Sequence, residues 1–183
     1  MDILLHTCCA ACLIFPLERL RAQGFQVEGF FYNPNIHSFS EFNARKLAVE
    51  QISANLNFNL SFPQYHPEEF FHQVNAKEEA SLRCPICWGL RLKQTALQAK
   101  QKGARFFSTT LLVSPYQDQE VLKELGEKIA LETQVEFYYE DFRPGFRKAH
   151  EQAKAAGVYC QKYCGCIYSE MERFQKSKPG GKK

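Results

Sequence analysis

Seven of the eight cysteines fall in three tight groups: Cys8, Cys9 and Cys12; Cys84 and Cys87; Cys164 and Cys166. Long stretches of chain separate the groups, so a fold that uses them together must bring three distant segments to one place. No export signal is expected, because Met1-Asp2-Ile3-Leu4-Leu5 lacks the basic region and apolar length of a signal peptide. In a reducing compartment structural disulfides are rare, and clustered thiols bind metal or carry redox chemistry. The expectation is a cytoplasmic metal centre, with a metal-free thiol–disulfide relay as the competing reading. Cys160 stands apart and reads as an isolated buried cysteine.

The scaffold is legible in the apolar spacing. Asp2–Leu5, Val27–Tyr32, Phe58–Phe62, a segment within Arg105–Val113, and Val135–Tyr139 read as five strands. Between and after them, Cys12–Arg21, a helix starting near Ser40 and running through Arg45–Leu56, Glu68–Val74, Trp88–Gln101, Glu120–Thr133 and Phe146–Ala156 read as helices. Leu13, Leu17 and Leu20 should face inward, as should Leu47, Ile52 and Leu56, and then Leu90 and Leu97. Alternation of this kind predicts one α/β domain over residues 1–176, an open, mostly parallel five-stranded sheet flanked by helices, nucleotide-binding-like. A disordered tail is expected from about residue 177. In such sheets the site lies beyond the carboxyl ends of the strands, where His6–Cys12, Asn33–Asn35, Ser108–Gln117 and Glu140–Arg143 would converge.

Charge says little about partners. Four lysines lie in the last eight residues, and without them the net charge of +3 falls to −1. Any nucleic-acid contact must come from a local basic face. No apolar run approaches the ~20 residues a membrane helix needs, so no membrane partner is expected.

Thiolates are soft ligands suited to zinc or iron–sulfur clusters. Four complete a [4Fe–4S] cluster and three remain, which suits a second metal with an open position better than a closed structural site. Cys84-Pro85-Ile86-Cys87 is expected to precede a helix whose N-terminal dipole favours thiolate. His6 reads either as a proton donor or as a satisfied structural residue ending a strand. Tyr116 and Asp141 are possible acids, equally explained by loop packing and capping. Ser108, Thr109 and Thr110 could hold a phosphate or ribose. Trp88 could stack on a base, although a lone tryptophan on a helix is more often core.

Five blocks, in order, carry a resemblance: His6-x-Cys8-Cys9-x-x-Cys12, Tyr32-Asn33-Pro34-Asn35-Ile36, Arg83-Cys84-x-x-Cys87-Trp88-x-x-Arg91, Ser108 to Gln117, and Gln161 to Ser169. Together they resemble the QueH family, the cobalamin-independent epoxyqueuosine reductases. The resemblance implies reductive removal of the epoxide oxygen of epoxyqueuosine in tRNA to give queuosine, with an external electron donor. It implies a [4Fe–4S] cluster beside a mononuclear iron (or zinc). Ala11 stands where a proline is usual, and Cys160 where an arginine is expected, so Cys160 is not carried over as a ligand.

Under that resemblance Cys8, Cys9, Cys84 and Cys87 are expected on the cluster, and Cys12, Cys164 and Cys166 on the second metal. Arg45, Arg83 and Arg91 are expected to meet phosphate, with Lys148, Lys154 and Lys162 extending that surface. Asn33, Asn35, Ser108, Thr109, Thr110 and Gln117 complete the expected substrate contacts. The alternatives are a metal-free Cys84-x-x-Cys87 oxidoreductase and a zinc-stabilised RNA-binding module.

Overall fold

In the computed structural model, which describes residues 1–175, the chain runs β1 (Ile3–His6), α1 (Ala10–Ala22), β2 (Val27–Phe30), α2 (Phe39–Asn55), β3 (Leu60–Ser61), α3 (Pro67–Val74) and α4 (Ala80–Gln101). It continues through β4 (Phe106–Thr109), α5 (Gln119–Thr133), β5 (Glu136–Phe137), α6 (Phe146–Ala155) and α7 (Ile167–Gln175). The expected tail lies outside the described residues.

All five strands are parallel, in the order β3-β2-β1-β4-β5. β1 is central and wholly buried. Ile3 to His6 pair with Val27 to Phe30 on one side and Phe106 to Thr109 on the other. The chain leaves β1 towards β2 and returns at β4, so strand order reverses between β1 and β4. This is the crevice where open α/β sheets place their ligands. Cys8 follows β1 and Thr110 follows β4, one on each lip.

The sequence-predicted helices all form, with differences at their ends and on two faces. Leu13, Leu17 and Leu20 are buried on α1. Leu47 is 56% exposed and Leu97 43% exposed; α2 buries Phe42, Arg45, Ala48, Val49 and Ile52 instead. Ile52 faces inward as expected, while Leu47 stands off the buried stripe. α4 starts at Ala80 and so holds Cys84, Pro85 and Cys87 within it. Pro85 removes only its own bond to the carbonyl four residues earlier, which the long helix tolerates near its start. Trp88 is core. α7 was not read in the sequence: none of its residues is buried, so it carries no apolar stripe turned to the core. Among the described residues no helix is long and apolar enough to cross a membrane.

Candidate metal centre and substrate cavity

The first thiol group is built by the β1–α1 turn. Cys9 caps α1, and its sulfur accepts from the Cys12 amide at 3.3 Å, so the helix dipole favours negative charge there. The Sγ atoms of Cys8, Cys9 and Cys12 all lie within 4.8 Å of one another. Thr110, just after β4, braces Cys8, accepting from its amide at 3.0 Å and donating to its sulfur at 3.2 Å. Hydrogen bonds from Cys12, Cys9 and Thr110 hold the Cys8 thiol well below its usual range. Cys9 is pushed up by burial, and Cys12 by its hydrogen bonding to Cys8 and Cys9. Three close sulfurs, one already inclined to ionise, fit a thiophilic metal with positions left open.

The second group joins α4 to the loop before α7. Cys84 and Cys87, three apart, share a face of α4. Cys87 packs with Cys166 in a small apolar cluster that includes Phe70 and Val74 of α3. Burial pushes Cys87 up to about 12, and the negative charge of Cys164, Cys166 and Cys84 adds to it. Cys84 is raised by burial and by Cys164 and Cys166. Cys87 and Cys166 are packed together, and Cys84 and Cys164 lie near enough for their charge to act on Cys87. The structure thus places Cys12 beside Cys8 and Cys9, and Cys166 beside Cys87. Spacing along the chain could not decide this, because the helix turn after Cys9 brings Cys12 back over it.

Three arginines are inside, not at the surface: Arg45, Arg83 and Arg91 are 2%, 3% and 1% exposed. Arg45 pairs with Glu41 at 2.7 Å and donates to the carbonyls of Cys164 and Tyr163 at 2.8 and 3.2 Å. Arg83 pairs with Glu172 of α7 at 2.7 Å and donates to the Glu78 carbonyl. Arg91 donates from Nε to the Cys87 carbonyl at 3.1 Å. Burial opposes its charge, but the thiols of Cys87, Cys164 and Cys8 more than offset that. These side chains hold the cysteine segments in place, since buried guanidinium groups need partners inside the fold, and Arg45 and Arg91 also line the cavity that Cys8, Cys12 and Cys164 line.

Other expected contacts also turn inward. His6 is fully buried, with Nδ1 2.8 Å from Thr109 Oγ1 and Nε2 3.1 Å from the Tyr32 carbonyl. Since Nε2 faces a carbonyl it carries the proton, and Nδ1 accepts from Thr109. Burial lowers its pKa to about 4, so it serves as a neutral strut between β1 and β4. Asn33 donates to the Thr7 carbonyl at 2.9 Å, and Asn35 lies against Gly165. Ser108, Thr109 and Thr110 are fully buried. Asp141 caps the turn at Arg143, 3.0 Å from its amide, and pairs with its guanidinium.

Both thiol groups open on one cavity of about 1350 Å³, whose wall includes Cys8, Cys12, Cys164, Arg91, Tyr116 and Gln117. Arg147, Lys154 and Lys162 stand on its rim. Tyr116 is 82% exposed and meets Phe146 edge to face, their ring centroids 5.9 Å apart. His150 also lines the space, its Nδ1 donating to the Phe146 carbonyl at 3.0 Å. It was missed in the sequence because it is an ordinary polar position on an amphipathic helix. Lys148 instead pairs with Glu18 at 3.2 Å, outside this wall. The volume exceeds that of usual small-molecule pockets and suits a nucleotide still attached to its chain.

Residues 3–172 match the family model described as "Epoxyqueuosine reductase QueH". A protein of that name from Dehalococcoides mccartyi is 41% identical over 175 residues, covering 95% of both chains. Another from Thermotoga maritima is 34% identical over 182 residues, covering 95% of this chain and 93% of the relative. Among solved structures, one described as a predicted subunit of tRNA methyltransferase from Methanocaldococcus jannaschii superposes with a TM-score of 0.58 at 10% identity. It covers 84% of this chain and 76% of its own, a likeness of fold.

Proposed function

The chain belongs to the epoxyqueuosine reductase QueH family and is an oxidoreductase of that kind, and from this premise we propose that it works with two metal centres on a tRNA substrate. Cys84, Cys87, Cys164 and Cys166 would hold a [4Fe–4S] cluster, and Cys8, Cys9 and Cys12 a mononuclear iron or zinc. When bound, these groups supply single electrons and a Lewis acid for the oxygen that leaves. The observation that carries the reading is the meeting of two thiol groups on one nucleotide-sized cavity.

The overall change adds two electrons, from an external donor, and two protons to the epoxide. It leaves an alkene, and the oxygen departs as water. The chain's own residues have three tasks in this. Tyr116 and Phe146 offer an aromatic wall on which an unstacked base can lie. Arg147, Lys154 and Lys162 meet the flanking phosphates. The Tyr116 hydroxyl and the His150 ring are polar groups on the cavity wall, in reach of a reacting nucleoside, whereas His6 and Asp141 are turned elsewhere. A tRNA substrate and seven thiols kept reduced suit the cytoplasm.

The test is anaerobic reconstitution with iron and sulfide, followed by a chemical reductant and epoxyqueuosine-bearing tRNA, with analysis of the released nucleosides. Conversion to queuosine by brown, iron-loaded protein is expected. Equal conversion by metal-free protein would instead favour the Cys84-x-x-Cys87 dithiol as reductant. Membership of a reductase family leaves the non-enzymatic zinc module without support.

A further inference from the structure

Three arginines are buried around the thiols, and they differ in what neutralises them. Arg45 has the Glu41 carboxylate and Arg83 has Glu172. Arg91, the most buried of the three with Arg45, has no carboxylate within ion-pair distance among the described residues. Its Nη2 is buried and makes no hydrogen bond. Arg91 is anchored through Nε to the carbonyl of Cys87 in the second thiol group. It also lines the cavity that Cys8 of the first group and Cys164 of the second share.

A buried guanidinium without a counter-charge is costly. Here the groups of opposite potential charge on its surroundings are sulfurs. Four thiolates outweigh the positive charge of the iron–sulfur core they hold, so a loaded site is anionic. A fixed cation beside it stabilises the reduced, more negative form, and a low-dielectric setting strengthens that effect.

We propose that Arg91 is the shared counter-cation of the two thiol groups: it raises the reduction potential of the cluster and is less fully compensated when the thiols are empty. The inference rests on the reading of the thiols as metal ligands. Arg91 acts through charge and position and does not touch the substrate.

The experiment compares the parent chain with Arg91→Met and Arg91→Lys, each reconstituted anaerobically and measured for iron and sulfide. Midpoint potentials are read by dye-mediated titration of the reduced cluster's electron paramagnetic resonance signal. Arg91→Met should lower the ratio of reduced to oxidised cluster at a fixed potential about tenfold, equivalent to about 59 mV for one electron. Arg91→Lys should stay near the parent. An unchanged potential in Arg91→Met overturns the proposal, and so does an equal fall in Arg91→Lys, which would signal shape rather than charge.

The metal-free proteins give a second readout. Empty Arg91→Met should melt no lower than the empty parent, and loading should raise the melting temperature of the parent more. A metal-free Arg91→Met that unfolds below the parent, or fails to fold, counts against a costly lone charge. Should the parent itself take up no iron, the cluster reading fails and this inference falls with it. An iron-loaded parent with an indifferent Arg91 sinks only the latter.

Discussion

Gly165 separates two of the thiols with φ of +147°, a conformation that side chains rarely adopt. A Cβ there would meet Asn35 Nδ2 at 3.0 Å and Arg45 Nη1 at 3.3 Å, and its carbonyl accepts from the His37 amide at 2.9 Å. The glycine thus lets the Cys164–Cys166 segment lie flat on the loop after β2. Gly165→Ala should cost about 1–3 kcal/mol in strain, seen as a lower melting temperature together with lower iron content after reconstitution. An unchanged iron content would mean that the segment can shift without losing its ligands. At this scale the sequence named the cysteines but mistook several neighbours. Arg45, Arg83 and Arg91 were expected to meet phosphate, and the fold buries all three. Their burial follows from Glu41, Glu172 and the thiols, which lie far from them in sequence or carry no recognisable signal.

The elements were more legible than the residues. Helices announced by apolar residues three and four apart form where expected, and the parallel order follows from their alternation with short strands. α7 escaped because it packs without burying a residue. Its attachment is mixed: Glu172 reaches Arg83, the Ile167 amide points to His37 Nδ1 at 3.4 Å, and Tyr168 packs against the Phe70 and Cys166 cluster. His37 Nε2, 3.1 Å from the Pro34 carbonyl, carries the proton. Burial lowers the pKa of His37, so the folded chain prefers it neutral. As pH falls below ~6.5 the unfolded chain gains a proton that the folded chain resists, and stability drops until His37 itself protonates. Denaturation of the metal-free protein between pH 7 and 5, values chosen to span about that pKa, should show this loss. His37→Gln should make it shallower but not abolish it, because His6, whose pKa burial lowers to about 4, resists the proton over the same range. An identical slope would assign the whole loss to His6 or another group.

Over the whole molecule the charge is near balance, so RNA binding depends on where the cations stand rather than on how many there are. Arg147, Lys154 and Lys162 share the rim of the cavity. Replacing each by alanine should weaken binding of epoxyqueuosine-bearing tRNA, measured by fluorescence anisotropy, and reduce the slope of log affinity against log salt by about 1 per contact. An unaltered slope would take the phosphate path elsewhere. The sequence alone determined the α/β class, the strand-and-helix order, the family and the seven thiols. Each of these is written in local spacing or in residue type, and needs no knowledge of what lies across the fold. Only the tertiary structure decided which thiols stand together, that His6 is a strut, and that the arginines neutralise charge inside. Those outcomes depend on contacts between segments far apart in the chain, and burial then reverses what a polar residue would do in water.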